Sequence, residues 1–308
     1  MVLLSIFFSL LITVMKTNKL LAIAHDAGAA NHILAWYLSG DLSDYDVAFC
    51  FYGPALKLAQ EKGIPVANQS YDRLIPQFDV VLCGTGWATD IEKQAMRLAS
   101  RLKITTVAVF DHWTNYSERL LLGGQPIAVS AIWVVDEDAR TSASAAYPSI
   151  SVVVKENRYL KGIAEEVSDW KTTSSDNVVL FIMEPLRHFS LGSEAAECHC
   201  FDFFMANLKK LSQFLIAPAQ TNIIIRPHPS DDPGKYQPLI DRYSQHDIHI
   251  DNETSLTQQI AEAQLVVGMQ SYALVIALAA GKRVVSSLPE EAPACILPHQ
   301  DIIHLKDS

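Results

Sequence analysis

Two polar corners in the second half of the chain have the residue types of a phosphate-binding site. The first follows three consecutive isoleucines and reads Arg226, Pro227, His228 and Pro229. β-Branched isoleucines favour a buried strand, and the prolines end it because proline lacks an N–H and fixes its own φ. Arg226 and His228 are therefore expected on a stiff backbone at the carboxyl end of a strand, where ligands bind in open α/β sheets.

The second corner joins a strand to a helix. The predicted strand ends at Gly268, and Ser271 and Tyr272 begin a predicted helix. A helix N-terminus attracts anions through its unpaired N–H groups and its dipole, and the Ser271 hydroxyl suits either a phosphate or a helix cap. Glu184 ends a third predicted strand, and the two alternatives for it are a ligand and a turn partner. The predicted nucleotide and phosphate site therefore consists of Arg226, His228, Gly268, Ser271, Tyr272 and Glu184.

Two strand ends in the first half carry groups that can move a proton. His25 and Asp26 follow the first predicted strand, and Asp111 and His112 follow a later one. Transfer to a hydroxyl needs a base that accepts the hydroxyl proton. We therefore predict Asp26, Asp111 and His112 as catalytic, with the choice of base between the two aspartates left open. The predicted acceptor-side residues are His25, Gly28, Asn31 and Trp113, for which a tight turn and a core position are the structural alternatives.

Apolar runs that alternate with helical patterns predict the elements that hold these corners. This alternation indicates an α/β protein with mainly parallel sheets. The polar stretch 172–176 is the best linker candidate. The sequence thus predicts two Rossmann-like domains facing a central cleft, an N-terminal acceptor-side domain over residues 15–172 and a C-terminal nucleotide-sugar-binding domain over residues 173–308. Expected strands include residues 64–67 and, as the last strand, residues 283–286.

Composition narrows the classes of function. The chain has 308 residues, 49% of them hydrophobic, and a net charge of −10. The acidic balance argues against nucleic-acid binding, and the five scattered cysteines fit a reduced cytoplasmic protein. No acidic pair stands at a strand end as a metal site would need, so we expect no metal and no cofactor. Residues 1–14 are apolar but short for a bilayer span; an upstream extension and a weak membrane-surface contact both stay open.

The second half resembles the nucleotide-binding half of a GT-B glycosyltransferase over roughly residues 178–288. The residues that carry the resemblance are the Arg226–Pro229 corner and Gly268-Met269-Gln270-Ser271 with the small-residue helix after it. More narrowly, they are similar to the His-Pro motifs of bacterial sialyltransferases, capsular Kdo transferases and CDP-glycerol glycerophosphotransferases. Glu184-Pro185 stands where some capsule enzymes have Gln-Pro.

The resemblance implies that the histidine and the serine hold the donor phosphate. In these groups the donor is often CMP- or CDP-activated, so the resemblance implies such a donor rather than a UDP-activated one. The helix over residues 272–280 also lacks the acid that holds the ribose in many GT-B enzymes. The expected function is metal-independent transfer of a sugar, such as a nonulosonic acid or Kdo, from a nucleotide-sugar donor to a carbohydrate or lipid-linked acceptor of a surface polysaccharide or glycolipid. The expected location is cytoplasmic, with a peripheral position at the inner membrane face.

Three other functions remain open from the sequence. A sugar-nucleotide 2-epimerase or hydrolase of related two-domain fold would use the same phosphate site and would surround one sugar with His25, Asp26, Asp111 and His112. A CDP-glycerol glycerophosphotransferase would transfer a glycerophosphate instead of a sugar. A nucleotide-binding partner without activity would bind the nucleotide and turn nothing over.

Overall fold

A computed structural model describes residues 17–170, 177–186, 195–215 and 220–308. By its internal contacts the chain divides into two compact units, Met1–Lys155 and Glu156–Ser308. Each unit contains a six-stranded sheet whose neighbouring strands run parallel, with helices between most successive strands. The predicted α/β class with two Rossmann-like domains is confirmed. The predicted linker 172–176 and the apolar residues 1–14 lie outside the described residues.

The first unit is built on strands whose runs of apolar residues are buried in its core. Residues 20–24 of the first strand are fully buried, as expected for the centre of a parallel sheet. The strands are β1 Asn18–Ala24, β2 Tyr45–Phe51, β3 Val80–Cys83, β4 Thr105–Phe110, β5 Leu121–Leu122, β6 Gln125–Pro126, β7 Ala131–Val134 and β8 Ser151–Val154; the helices are α1 Ala27–Leu38, α2 Gly53–Glu61, α3 Tyr71–Leu74, α4 Ile91–Arg101, α5 Tyr116–Arg119 and α6 Glu137–Ala146. The sheet order is β2-β1-β3-β4-β7-β8, and β5 and β6 form a separate hairpin.

The second unit repeats the architecture around a strand that is buried along its whole length. Its elements are α7 Arg158–Asp169, β9 Asn177–Ile182, α8 Ala196–Ala206, β10 Thr221–Arg226, α9 Gln237–Arg242, β11 Asp247–Ile250, α10 Leu256–Glu262, β12 Leu265–Gly268, α11 Tyr272–Ala279, β13 Arg283–Ser286 and β14 Ile303–His304, with 3-10 turns at Leu208–Phe214 and Leu305–Asp307. The sheet order is β11-β10-β9-β12-β13-β14.

Both sheets have a point where the strand order reverses. In the first sheet β1 lies between β2 and β3, and in the second β9 lies between β10 and β12. Chains leaving such neighbouring strands turn to opposite faces of the sheet and open a crevice at its carboxyl edge, where ligands of α/β folds bind. The strand ends singled out from the sequence follow β1 and β4 in one unit, and β9, β10 and β12 in the other.

Three expectations about elements need correction. Residues 64–67 form no strand: Pro65 has no N–H to donate, and only the Ala67 N–H reaches β2, at Phe49 O, 2.8 Å away. Residues 283–286 are not the last strand, because β14 pairs in parallel with β13. The sequence predicted the division between the domains after residue 172. The structure divides before α7 instead, because α7 packs on α10 and α11 of the second unit.

None of the helices in the described parts of the chain combines the length and the apolar character that a bilayer crossing requires.

Candidate functional site

The second-unit candidate residues leave three adjacent strands at one sheet edge. Glu184 follows β9, His228 follows β10, and Gly268 ends β12. The backbone N–H of Gln270 donates to Glu184 Oε2 at 3.0 Å, which fixes the β12 loop to the β9 loop. Burial raises the pKa of Glu184. The structure thus brings these candidates to one edge and gives Glu184 a part in holding two loops together.

Ser271 begins α11 as its N-cap. Its Oγ accepts the Ala273 N–H at 3.2 Å, and a serine cap of this kind stabilises a helix by about 1 kcal/mol. Tyr272 points toward α7, where its hydroxyl accepts from Asn157 Nδ2 at 3.3 Å and its ring stacks on Tyr159. The described contacts of Tyr272 are therefore with a neighbouring helix.

Arg226 connects β10 to the start of α10. Its Nη1 donates to Thr254 O at 2.7 Å and to Gln259 Oε1 at 2.6 Å. Partial burial lowers the pKa of the guanidinium. Arg226 therefore has a structural role, because its Nη1 already holds a loop. Its role as a phosphate ligand stays a prediction and would be in addition to this one.

His228 stands in a tight turn that lines a cavity of about 280 Å³. The Asp231 N–H donates to His228 O at 2.9 Å, and the His228 N–H donates to Asp231 Oδ2 at 3.0 Å. Pro229 occupies the second position of this turn, where its fixed φ fits. The imidazole Nδ1 lies 2.8 Å from Ser230 Oγ and accepts the Ser230 N–H at 3.1 Å.

A network of charges below the turn anchors it. Asp231, whose side chain is 3% exposed, accepts Lys235 Nζ at 2.7 Å and the Tyr236 hydroxyl at 2.7 Å. Lys235 also pairs with the buried Glu197 at 2.6 Å, and Glu197 accepts the Leu186 N–H of the β9 loop. Burial opposes ionisation of Asp231, but its hydrogen bonds from Lys235 and Tyr236 lower its pKa below the ordinary value.

In the first unit, His25 and Asp26 form a paired acid and imidazole after β1. His25 Nδ1 lies 2.7 Å from Asp26 Oδ1, and Asp26 Oδ2 accepts the backbone N–H groups of Trp87 and Ala88 at 2.8 and 3.3 Å. Because a carboxylate accepts, a neutral His25 carries its proton on Nδ1 and has its lone pair on Nε2. The His25 ring packs on Gly53, where a Cβ would lie 2.6 Å from Nε2.

Asp111 forms an ion pair with a buried arginine. Arg119, 2% exposed, donates from Nη1 to Asp111 Oδ1 at 2.7 Å and to Thr85 Oγ1 at 2.9 Å. Burial opposes ionisation of Asp111, but the guanidinium outweighs it and lowers the pKa of this carboxyl. Gly28 makes room for it, since a Cβ there would lie 1.8 Å from Asp111 Oδ2.

The remaining first-unit candidates differ in accessibility. His112 Nδ1 accepts the N–H of Trp113 at 3.0 Å, so a neutral His112 carries its proton on Nε2. Trp113 is buried and donates from Nε1 to Asp136 Oδ2 at 2.8 Å. It therefore occupies the core position that was the alternative to an acceptor-side role. Asn31 is partly exposed on α1. The structure brings His25, Asp26, Gly28 and Asp111 together at one edge of the first sheet, after β1 and β4, which have β3 between them.

Glu92 is a buried acid that the sequence reasoning missed. It lies in the first turn of α4 with no exposed surface, and it accepts the His25 N–H at 3.1 Å and the Gly86 N–H at 2.9 Å. Burial raises its pKa to about 7, with the nearby Asp26 adding to the shift. The available signal was the Gly84-Thr85-Gly86 run, because a Cβ at Gly84 or Gly86 would lie 2.3 or 2.8 Å from a Glu92 oxygen.

Within the described ranges, no group of three or more histidine, cysteine, aspartate or glutamate side chains lies close enough together to hold a metal. The expectation of metal-independent chemistry therefore continues as a proposal based on the donor groups above.

No protein-family model matches the sequence, and no curated protein matches it. Solved structures do match in fold. A UDP-GlcNAc 2-epimerase from Neisseria meningitidis bound to UDP-GlcNAc superposes with a TM-score of 0.58 at 14% identity, covering 87% of this chain and 82% of that one. A putative UDP-N-acetylglucosamine 2-epimerase from Listeria monocytogenes gives 0.61 at 12% identity, covering 89% and 80%. HepE from Anabaena, in complex with UDP and glucose, gives 0.54 at 15% identity, covering 89% and 81%. The chain therefore has the GT-B-like fold of these proteins.

Proposed function

We propose that the protein is a metal-independent glycosyltransferase that uses a nucleotide-activated sugar. The observation that carries the proposal is the pairing of His25 with Asp26 at the order-reversal point of the first sheet. An imidazole with a basic Nε2 and a carboxylate on Nδ1 is the arrangement that accepts a hydroxyl proton. The second unit supplies the donor side, with His228 and the N-terminus of α11 at the order-reversal point of its own sheet.

The proposed proton acceptor is His25 rather than either aspartate. The oxygens of Asp26 already accept three hydrogen bonds. Asp111 is paired with Arg119, whose guanidinium lowers the pKa of this carboxyl and makes it a weak base. In the proposed step the acceptor oxygen bonds to the sugar carbon, its proton moves to His25 Nε2, and the bond from sugar to phosphate breaks. Asp26 then stabilises the imidazolium that has formed, while Asp111 fixes Arg119 beside the site.

The leaving nucleotide needs donors where its charge develops. His228, with Nδ1 accepting from Ser230, presents Nε2–H as its donor, and the N–H groups at the start of α11 provide a second set. Gly268 brings the backbone close, and Glu184 positions the loop of Gln270. The proposed donor is CMP- or CDP-activated, as the resemblance to the His-Pro groups implies, and α11 has no acidic residue of the kind that holds the ribose in many GT-B enzymes. The proposal includes a carbohydrate or lipid-linked acceptor and a cytoplasmic enzyme with peripheral contact at the inner membrane face.

A sugar-nucleotide 2-epimerase or hydrolase is the second candidate. It is favoured by the fold neighbours that are named as UDP-GlcNAc 2-epimerases and by the cluster of His25, Asp26 and Asp111, which can surround one sugar. A CDP-glycerol glycerophosphotransferase would use the same donor groups. The structure of the phosphate side is compatible with each of these.

The experiment that tests the proposal has two stages. Thermal-shift measurements with CMP, CDP, UDP and GDP identify the nucleotide, since a ligand at 100 times its Kd stabilises by about 2.7 kcal/mol. Product analysis of the matching sugar nucleotides, and of CDP-glycerol, then follows with and without an acceptor. Transfer only in the presence of acceptor supports the transferase; epimerised or hydrolysed donor without acceptor supports the second candidate. Binding without turnover of any donor would leave only a binding partner and would overturn all three enzymatic proposals.

A further inference from the structure

The turn after β10 controls the imidazole of His228. A backbone N–H can only donate, so the 3.1 Å contact from Ser230 N requires a lone pair on His228 Nδ1. In the neutral ring the proton must then be on Nε2. The imidazole is thereby a donor through one defined nitrogen, which is the form that a phosphate oxygen accepts.

Asp231 holds the turn in the shape that makes this contact. One of its oxygens accepts the His228 N–H, and its own N–H donates back to His228 O. The same carboxylate is held from below by Lys235 and Tyr236, and Lys235 is held in turn by Glu197. The turn that carries the exposed His228 is thus fixed to the Asp231 carboxylate. Through Lys235 and Glu197 it is also connected to α8.

We propose that Asp231, together with the Ser230 N–H, is a positioning residue that presents His228 Nε2–H to the phosphate of a nucleotide. This inference rests on the proposed function and names two residues that the phosphate site needs besides those predicted from the sequence. Asp231 acts through the turn and does not contact the ligand. The negative charge of Asp231 would by itself repel a phosphate, so a role in binding must come from geometry.

The neighbouring Asp232 gives a matched control. It is exposed and lines the same cavity, so Asp232→Ala removes the same charge near the same site while leaving the turn intact. If only charge matters, Asp231→Ala and Asp232→Ala both tighten the binding of UDP or CDP. If Asp231 positions His228, Asp231→Ala weakens binding about 3- to 10-fold, less than the tenfold to hundredfold expected for losing the charge-assisted contact itself, because the imidazole remains and only its orientation is lost. Asp232→Ala does not weaken binding.

The measurement has two independent readouts. Calorimetric titration with UDP and CDP gives the affinity, and ¹⁵N NMR of histidine-labelled protein at pH 8, with His228→Gln for assignment, shows which nitrogen carries the proton. Wild type is expected to show His228 as the Nε2–H form, and Asp231→Ala to show averaged nitrogens. If Asp231→Ala fails to fold, Asp231→Asn keeps the volume and should show the same changes at smaller size.

Two results would overturn the inference: a wild-type His228 protonated on Nδ1, or an Asp231 variant that folds and binds UDP or CDP as tightly as Asp232→Ala does. A wild type that binds none of CMP, CDP, UDP and GDP would instead refute the proposed function. The positioning of His228 would then still be decided by the ¹⁵N resonances, since these need no ligand.

Discussion

The Nδ1 of His25 lies 2.7 Å from Oδ1 of Asp26, while the other oxygen of Asp26 accepts two backbone N–H groups of the β3 loop. This arrangement separates the roles of two adjacent residues. The carboxylate is fixed as an acceptor, and the imidazole nitrogen that does not face it is the base.

Replacing His25 by Gln should abolish proton transfer and leave nucleotide binding unchanged. General-base catalysis contributes about 10²- to 10⁴-fold, so turnover should fall by about that factor. Asp26→Asn should lower turnover less, because it removes orientation but keeps the imidazole. The measurement is steady-state kinetics with calorimetry of nucleotide binding. A His25→Gln enzyme with wild-type turnover would move the base elsewhere.

The buried carboxyl of Glu92 should make the stability of the protein depend on pH. Its pKa in the folded protein, about 7, is raised above its ordinary value, so its folded form retains the proton longer than the unfolded chain. Its contribution to stability is therefore complete below about pH 4 and is lost as pH rises through 7. Relative to Glu92→Gln, wild type should lose about 3 kcal/mol in the free energy of unfolding between pH 4.5 and 8. Urea titrations of both proteins across this range check it; parallel curves would show that Glu92 titrates normally.

Gly86 should not tolerate a side chain. A Cβ there would lie 2.2 Å from Asp26 Oδ2 and 2.8 Å from Glu92 Oε2, so Gly86→Ala must displace two carboxylates and should cost about 1–3 kcal/mol. Gly162, inside α7, is the control: nothing lies within 4 Å of the position that a Cβ would take there, and Gly162→Ala should stabilise by up to about 1 kcal/mol. Thermal unfolding compares the two, and equal melting temperatures would contradict the contact geometry.

Arg226 should contribute to stability in the absence of any ligand. Arg226→Ala leaves Thr254 O and Gln259 Oε1 without their donor and should lower the free energy of unfolding by about 1–3 kcal/mol. A double-mutant cycle with Gln259→Leu isolates the pairwise part. Strict additivity in the cycle would mean that the contact carries no energy in solution.

His228 should show the opposite pattern. His228→Ala removes an exposed side chain with no core volume, so stability should stay within about 0.5 kcal/mol of wild type, while nucleotide affinity falls about tenfold to a hundredfold. Ser271→Ala should act in the same direction more weakly, with some loss of stability from the missing cap. Calorimetry and circular dichroism distinguish the two effects. An unchanged nucleotide affinity in His228→Ala would show that the phosphate site does not lie at this turn.

Local signals explain which parts of this picture the sequence could predict. The isoleucines and prolines around His228 define a strand and its end by their own conformational limits, and Ser271 marks a helix start in the same way. The sequence could not predict the role of Glu92, because its partners are backbone N–H groups, one of them at His25, 67 positions away. Nor could it assign Arg226 to Gln259, since both side chains are polar and only the folded chain shows that they meet. The strand expected at residues 64–67 was wrong because the propensity of Ile64 and Val66 does not replace the N–H that Pro65 lacks.

The position of β9 at the centre of its sheet has a consequence for synthesis. β9 and β10 leave the ribosome early, but the other neighbour of β9 is β12, whose Leu265 pairs with Val179. At about 5–20 residues per second, the nascent chain must hold one side of this fully buried strand unpaired for roughly 10 s. Slow codons or a stall between residues 226 and 265 should therefore lower the yield of folded protein far more than the same delay between residues 155 and 177, when the first sheet is complete and β9 has not yet been made.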